Sequence, residues 1–580
     1  MTSARQAAER SLAVIEGSRR PEAWISRFDP KDILARADGI DAQVRSAADL
    51  PLAGLTFAVK DNIDVAGLPT TAGCPAFSYL PVHDAPAVRA LIGSGALCIG
   101  KTNMDQFATG LVGTRSPYGA VRSASDPDLI AGGSSSGSAV AVAVGEVDLA
   151  LGTDTAGSGR VPAALNGVVG FKATMGLVST VGVVPACRSF DCVTVFARDV
   201  AGCEGAMAAL TGPLGASPGR RSFPRDLPLA PRTPSVVAVP DDEVLGVLGA
   251  DWLDGYRAAT EVLVEAGCVL RPLDLGPFLR AGSLLYGGAF VAERYAAVGR
   301  FVDTHPQEVD AIVGNIIGTA AGIGAVELAL DQETLARLAV EARAEWDRVD
   351  ADTLLLPTTT RHPTLAEVAA DPVGVNSGLG HFTTFLNLLD MCAVAVPARV
   401  AAGQPFGVSC IGPAFTDLVQ LEIAARLEGS TSPAPTFLPL RSKLRLRPPA
   451  LSFAVVGAHL TGQPLNHQLT ERGARLRRST RTAACYRLHA LATEPPKPGL
   501  ARVTRGGLPI DVEVWDLAPA RFADFVASVP PPMSIGTVLL DDGTSVPGFL
   551  CEPVALEGAP DISEFGGWKT YLDLAGTRSK

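Results

Sequence analysis

The sequence predicts an α/β protein that carries a second, smaller β-rich domain, and three features predict it. From about Leu55 to residue 425, short strand-like runs such as LTFAV, ALCIG and DTLLLP alternate with Ala-rich helical patterns and Gly-rich connections. That alternation belongs to a sheet largely buried by helices. At 429–449 the composition shifts to GSTSPAPTFLPLRSKLRLRPP, whose prolines and serines sustain neither a helix nor a central strand. Beyond it, LSFAVVGAHL, TAACYRLHAL, ARVTRGGLPIDVEVWDL and GTVLLDDGTSVPGFLCEP alternate apolar and turn residues, with Asp542-Gly543 a hairpin-type turn.

Taken in order, residues 1–50 alternate Ala, Leu and Ile with Arg and Glu at helical spacing. They read as one or two amphipathic helices packed on the main body before a first strand near Leu55 to Val59. Residues 51–428 form the main α/β domain, 429–449 a linker, and 450–580 a separate domain of ordinary size. At 580 residues a division into at least two folded units is expected.

Composition excludes several classes of function. The 49 basic and 60 acidic residues give a net charge of −11, which repels a polyanion, so nucleic acid is not an expected partner. The first thirty residues are charged throughout, without an apolar stretch of signal-peptide length, and the expected location is cytoplasmic. The apolar run Ala139 to Leu151 is interrupted by Glu146 and Asp148 well short of the ~20 residues of a spanning helix, so no membrane partner is expected. The ten cysteines include no CxxC pair and the seven histidines no HExxH. Neither a disulfide framework nor a metal site is expected, and no cofactor.

The densest chemical signal is AGGSSSGSAVAVA from Ala131, LGTDTAGSGRVPAALNGVVGFKAT from Leu151, and AVKDNIDVAGLPTTAG from Ala58. Alone, a Gly/Ser cluster reads as a flexible connection and a Lys after a strand as a solvated side chain. Together, at these spacings, the strings resemble the amidase signature family, as do RSFDCVTVFARDVAG from Arg188 and DTLLLPTTT from Asp352. The resemblance covers roughly residues 50–425. It implies a mixed central sheet covered by helices and a Ser-cisSer-Lys triad of Ser158, Ser134 and Lys60, the two serines twenty-four residues apart. It also implies a cis peptide at Gly133-Ser134, with Gly133 against the substrate. Ser136 and Ala156 depart from the commoner Gly of many members, and neither supplies a reacting atom.

These assignments make chemical sense. A serine hydroxyl must lose its proton as it attacks a carbonyl, and lysine is a base for it only where burial or nearby positive charge lowers its pKa. Lys60 follows the apolar LTFAV run, which delivers its amine into a dry interior. Gly132, Gly133 and Gly137 permit a close approach of backbone to substrate. The successive N–H groups of Thr155, Ala156, Gly157 and Ser158 are the expected oxyanion hole. Arg160 reads as a structural ion-pair partner.

Substrate choice rests on a narrower resemblance. RAGSLLYGGAFVAERYAAV from Arg280, HFTTFLNLLDMCAVAVPA from His381 and the C-terminal domain resemble allophanate hydrolases. This implies that Tyr286 and Arg294, eight residues apart, hold the small anionic substrate allophanate, whose carboxylate suits a planar guanidinium fork. A Tyr and an Arg at that interval on one helix share a face and also pack structurally. The C-terminal domain then has a γ-glutamylcyclotransferase-like barrel fold that promotes decarboxylation of N-carboxycarbamate, with His459 and His467 as candidates for proton transfer or carboxylate binding. A lone histidine also serves structurally, and fold resemblance does not establish an activity. A homodimer and a functional link to a urea carboxylase are implied partners. The rival readings are another small-amide amidase, a glutaminase-type component of a tRNA amidotransferase, and a C-terminal domain that only docks a partner.

Overall fold

A computed structural model describes residues 2–212, 218–398, 403–428 and 444–578. The chain divides into two compact units, Met1–Ser222 with Val236–Leu446, and Phe223–Ser235 with Arg447–Lys580.

The first unit is built on an eleven-stranded sheet: β1 (Trp24–Arg27), β2 (Thr56–Lys60), β3 (Leu97–Thr102), β4 (Leu149–Asp154), β5 (Val169–Lys172), β6 (Cys192–Ala197), β7 (Val236–Pro240), β8 (Val269–Leu273), β9 (Thr353–Pro357), β10 (Met391–Pro397) and β11 (Gly407–Pro413). Their order is β1-β3-β2-β4-β6-β5-β10-β11-β9-β7-β8. The sheet is mixed. β2 runs parallel to β3 and β4, and β7 parallel to β8 and β9, whereas β4, β5, β6, β10 and β11 pair antiparallel. β2, β3, β4, β5, β6 and β9 are buried along their whole length. Continuous apolar runs of this kind belong to strands covered on both faces.

The helix Ala4–Glu16 buries Ala4, Ala7, Ala8, Ser11 and Ile15, one face at three- and four-residue spacing, and is closed by a Ser3/Gln6 capping box. Ser11 meets Thr56 of β2 at 2.9 Å between hydroxyls, and Arg10 pairs with Asp148 at 3.0 Å. The first strand is not the run near Leu55 but β1, four residues lying between the two N-terminal helices. Its pairing with β3 comes from a neighbour remote in sequence, so no local pattern announces it. Among the described residues no single helix is long and apolar enough to cross a membrane.

The second unit has a five-stranded sheet, order β13-β16-β12-β18-β17, and a two-stranded β14-β15 ribbon. Its strands are β12 (Leu451–Val455), β13 (Arg475–Arg481), β14 (Tyr486–Leu491), β15 (Lys497–Arg502), β16 (Asp511–Leu517), β17 (Met533–Leu539) and β18 (Ser545–Cys551). The two edges, β13 and β17, meet at one end: Ala483 N–H donates to Leu539 O at 2.9 Å and Asp541 N–H to Arg481 O at 3.0 Å. The sheet is thereby barrel-like, around Phe453, Val455, Tyr486, Val514, Leu517 and Phe525. Asp542-Gly543 makes the β17–β18 turn, where Gly543 has φ +81°. Phe223–Ser235, assigned by sequence to the main domain, belongs to this unit. Leu229 N–H donates to Gly473 O at 2.8 Å and Ala520 N–H to Arg225 O at 2.9 Å, so this proline-rich strap docks through its backbone. Of the expected linker 429–449, residues 429–443 lie outside the described residues.

Candidate active site

Two strand ends and two Gly-rich turns converge at one point. Lys60 ends β2 and Asp154 ends the neighbouring parallel β4, so both side chains emerge at the carboxyl edge of the sheet, where α/β folds bind ligands. The loop Ala131–Ser135, leading into the helix Ser136–Ala143, and the turn Thr155–Arg160 after β4 close over that edge. Lys60 Nζ lies 2.8 Å from Ser134 Oγ, and Ser134 Oγ lies 3.0 Å from Ser158 Oγ. Lys60 and Ser134 are wholly buried, and Ser158 nearly so. Burial pulls the Lys60 amine down from its ordinary 10.5 to about 7; Asp105, Asp154 and Asp191 oppose the shift and Arg294 adds to it. The three residues expected to react are thus brought together in hydrogen-bonding order.

The Gly133-Ser134 peptide is cis. A Cβ on Gly133 would strike the Asp105 carboxylate, so only glycine fits there. Gly157, at φ +133°, lies so close to the Thr383 hydroxyl that a side chain is excluded by contact as well as by backbone conformation.

The turn bearing Ser158 is fixed by Asp154. This fully buried carboxylate accepts the N–H of Gly157 at 2.9 Å and of Gly159 at 3.0 Å, and binds Arg160 through Nε and Nη2 at 2.9 Å each. Burial is the largest single influence and would raise its pKa, but the charge and hydrogen bonds of Arg160, with Lys172 and the Gly159 N–H, together outweigh it and hold the carboxyl below the ordinary range. Arg160 is the structural partner expected, and its Nη1 also reaches Thr383 O at 3.0 Å. From the segment after His381, Thr383 Oγ1 donates to Ala156 O at 2.7 Å and Asn387 Nδ2 to Asp154 O at 2.9 Å. The expected oxyanion hole needs one correction. The Gly157 N–H is committed to Asp154, whereas those of Thr155, Ala156 and Ser158 meet no acceptor among the described residues.

Tyr286 and Arg294 do meet, but not on one helix. Tyr286 lies in Gly276–Gly287 and Arg294 in Ala292–Thr304, with a break at Gly288 and a short turn Ala289–Val291 between them. Arg294 Nη2 donates to Tyr286 Oη at 2.9 Å and Nη1 to Thr109 Oγ1 at 3.0 Å, while Nε has no partner among the described residues. Arg294 is 2% exposed, and no carboxylate lies within 4 Å of its guanidinium among the described residues. Its field reaches both Lys60 and Asp191.

Sequence reasoning missed Asp105, Thr109, Asn62, Thr153 and Asp191 as residues around this centre. Asn62 and Thr153 stood inside the strings that carried the resemblance. So did Asp191, in the string from Arg188, whereas Asp105 and Thr109 have no local signal, because distant segments bring them here.

In the second unit, His459 lines a cavity of about 250 Å³ with Gln468, Pro495, Lys497, Met533 and Phe549. Its Nε2 lies 3.0 Å from Gln468 Oε1, and its ring stacks on Phe549 at 4.9 Å. Burial is the main cause pulling the imidazole down to about 4, with Lys497 adding to it, so it is neutral at pH 7. His467 is not part of this cavity. It is exposed at the start of the helix His467–Thr470, its Nδ1 turned back to Pro464 O at 2.9 Å.

Comparison with known proteins bears on the family and the fold. Residues 8–420 match the Amidase family and residues 451–573 the allophanate hydrolase C-terminal domain. A urea amidolyase of Lachancea kluyveri is 42% identical over 95% of this chain, and one of Saccharomyces cerevisiae 38% identical over 95%. The chain spans 31% of the length of each. A glutamyl-tRNA(Gln) amidotransferase polypeptide of Halobacterium salinarum is 34% identical over 67% of the chain and 98% of its own length. Among solved structures, Kluyveromyces lactis allophanate hydrolase superposes with a TM-score of 0.88 at 38% identity, covering 99% of this chain and 97% of that one. The chain belongs to the amidase family and has the fold and both domains of an allophanate hydrolase.

Proposed function

We propose that the chain hydrolyses allophanate, releasing ammonia, with Ser158 as nucleophile, Ser134 as relay and Lys60 as base. The observation that carries the substrate is Arg294. A buried guanidinium without a carboxylate partner is costly, and an anionic substrate supplies the missing counter-charge. Tyr286 and Thr109 hold two of its nitrogens and leave Nε for the ligand. In this reading the neutral Lys60 amine takes the proton of Ser134 as Ser134 takes that of Ser158, and Ser158 Oγ bonds to the urea-type carbonyl carbon. The oxyanion meets the N–H groups of Ala156 and Ser158, with Thr155 alongside and Gly133 against the substrate. The proton returns through Ser134 to the departing nitrogen, which leaves as ammonia. Water then cleaves the acyl-enzyme to N-carboxycarbamate.

The second unit would act on that product. Its cavity sets a cationic Lys497 beside the neutral His459, a pairing suited to a small dianion. The same reading includes a cytoplasmic setting, which suits ten free thiols of which nine are buried. It also includes a homodimer and a functional link to a urea carboxylase; the relatives named urea amidolyase are about three times as long as this chain.

A second reading, glutamine hydrolysis, is favoured by the 34% identity to a glutamyl-tRNA(Gln) amidotransferase polypeptide, which is matched over only 67% of this chain. Purified chain offered allophanate, glutamine and a neutral small amide separates the two. Ammonia from allophanate alone supports the proposal. Ammonia from glutamine at comparable kcat/KM would replace it.

A further inference from the structure

The relay leaves one contact of Lys60 unexplained. Its Nζ lies 2.8 Å from Ser134 Oγ and equally 2.8 Å from Thr153 Oγ1, and all three side chains are buried. A neutral amine has one lone pair and two hydrogens. To act as base on Ser134 it must aim the lone pair there, yet the Thr153 hydroxyl can compete by donating its own proton to that lone pair.

Asn62 bears on this competition. Its Nδ2 is 3.3 Å from the Val184 carbonyl, which only accepts, so the amide nitrogen and not its oxygen faces this side. The same Nδ2 lies 3.3 Å from Thr153 Oγ1. Thr153 therefore accepts from Asn62, and one further lone pair remains for an N–H of Lys60. The backbone of Thr153 is itself tied to the relay loop. Its N–H donates to Ser135 Oγ at 3.3 Å, and Ser135 Oγ donates to its carbonyl at 3.1 Å.

We propose that Thr153, oriented by Asn62, is a positioning residue whose hydroxyl accepts an N–H of Lys60 and so turns the amine lone pair toward Ser134. The inference rests on the relay read in the preceding subsection. After proton transfer the same hydroxyl accepts from the ammonium, favouring the charged form. Its removal should therefore lower the pH at which Lys60 gains its proton, a change that loss of packing alone does not make.

The test compares Thr153→Val, which keeps the shape but has no acceptor, with Thr153→Ser, which restores one. The assay is ammonia release from allophanate as a function of pH. Thr153→Val should lower kcat/KM about 10- to 100-fold, mostly in kcat, at the modest end of what a general base contributes. The midpoint of its acid limb should move down by about 0.7 of a pH unit, as expected for a lost hydrogen bond of about 1 kcal/mol. Thr153→Ser should stay within about threefold of the parent, the range of a retained hydrogen bond. Asn62→Ala should show a smaller loss with a shift of the same sign, and it carries the test should Thr153→Val fail to fold. Parent-like activity in Thr153→Val, a loss with an unmoved limb, or equal losses in the Val and Ser variants would each overturn the proposal. A Lys60→Ala control separates the two levels. If it is inactive while Thr153→Val is unaffected, only the positioning role falls, whereas an active Lys60→Ala removes the relay and this proposal together.

Discussion

Replacing Arg294 by Lys probes the proposed substrate most directly. The positive charge stays, but the planar fork does not. In the structure Nη2 and Nη1 are held by Tyr286 and Thr109 at 2.9 and 3.0 Å, and these contacts fix the plane in which Nε is presented. An ammonium on a flexible stem satisfies at most part of this and gives a carboxylate one donor instead of two. The lost charge-assisted hydrogen bond is worth about 1.5 to 3 kcal/mol, because the site is buried and water does not replace it. That corresponds to a fall in kcat/KM of roughly 10- to 150-fold on allophanate. A neutral amide without a carboxylate should lose no more than about threefold, since its turnover does not use the fork. Steady-state ammonia release on the two substrates measures both numbers. Equal losses on both would refute the reasoning and make Arg294 a structural residue. Arg294→Met adds a check from stability. Because the guanidinium is buried without an ion-pair partner among the described residues, its removal should cost activity while leaving Tm unchanged or raised.

Ser158→Ala and Lys60→Ala should each abolish turnover, and the double variant should be no slower than either, since members of a relay act as a unit; additive losses measured in single-turnover assays would contradict this. With the Lys60 amine brought down by burial to about 7, kcat/KM should rise with pH through about 7 and level off above it. The same shift makes a stability prediction. Between about 7 and 10.5 the unfolded chain binds the proton that the folded chain has released, so Lys60 contributes a stability that rises with pH across that window, and Lys60→Met should flatten the rise in denaturant titrations. In the second unit, His459→Ala should slow carbon dioxide release without changing the first ammonia, while His467→Ala, outside the cavity, should change neither; the reverse pattern in a coupled assay would move the site. A chain ending at Leu446 retains the triad and should still release ammonia, but it strips the partners of the strap bearing Leu227 and Leu229, so light scattering should report association that polar replacements at those two positions suppress.

The sequence by itself determined the α/β class, the change of character after residue 429, the turn at Asp542-Gly543 and the residues of the proposed relay. Each is written in a short stretch: alternating strand and helix patterns, a Pro/Ser-rich break, an Asp-Gly pair, and glycines beside serines at fixed spacing. Lys60 was legible through the family resemblance of the string it stands in, and the largely apolar run before it forms the buried strand that carries its amine inside. Tertiary structure decided what depends on segments far apart in the chain. The strand at Trp24–Arg27 exists because β3, more than seventy residues later, offers it an edge. The strap Phe223–Ser235 belongs to the second unit because its backbone bonds to residues near Gly473 and Ala520. Gly157 drops out of the expected oxyanion hole because the Asp154 carboxylate claims its N–H, and His467 drops out of the cavity because its helix starts at the surface. What acts on Lys60 was not legible: Thr153 and Arg294 stood in recognisable strings but with no sign that they reach this amine, and Asp105 under Gly133 carries no local mark. Local patterning sets which backbone a segment forms, whereas the field and the hydrogen bonds at a buried amine come from whichever side chains the closed fold brings within a few ångströms of it.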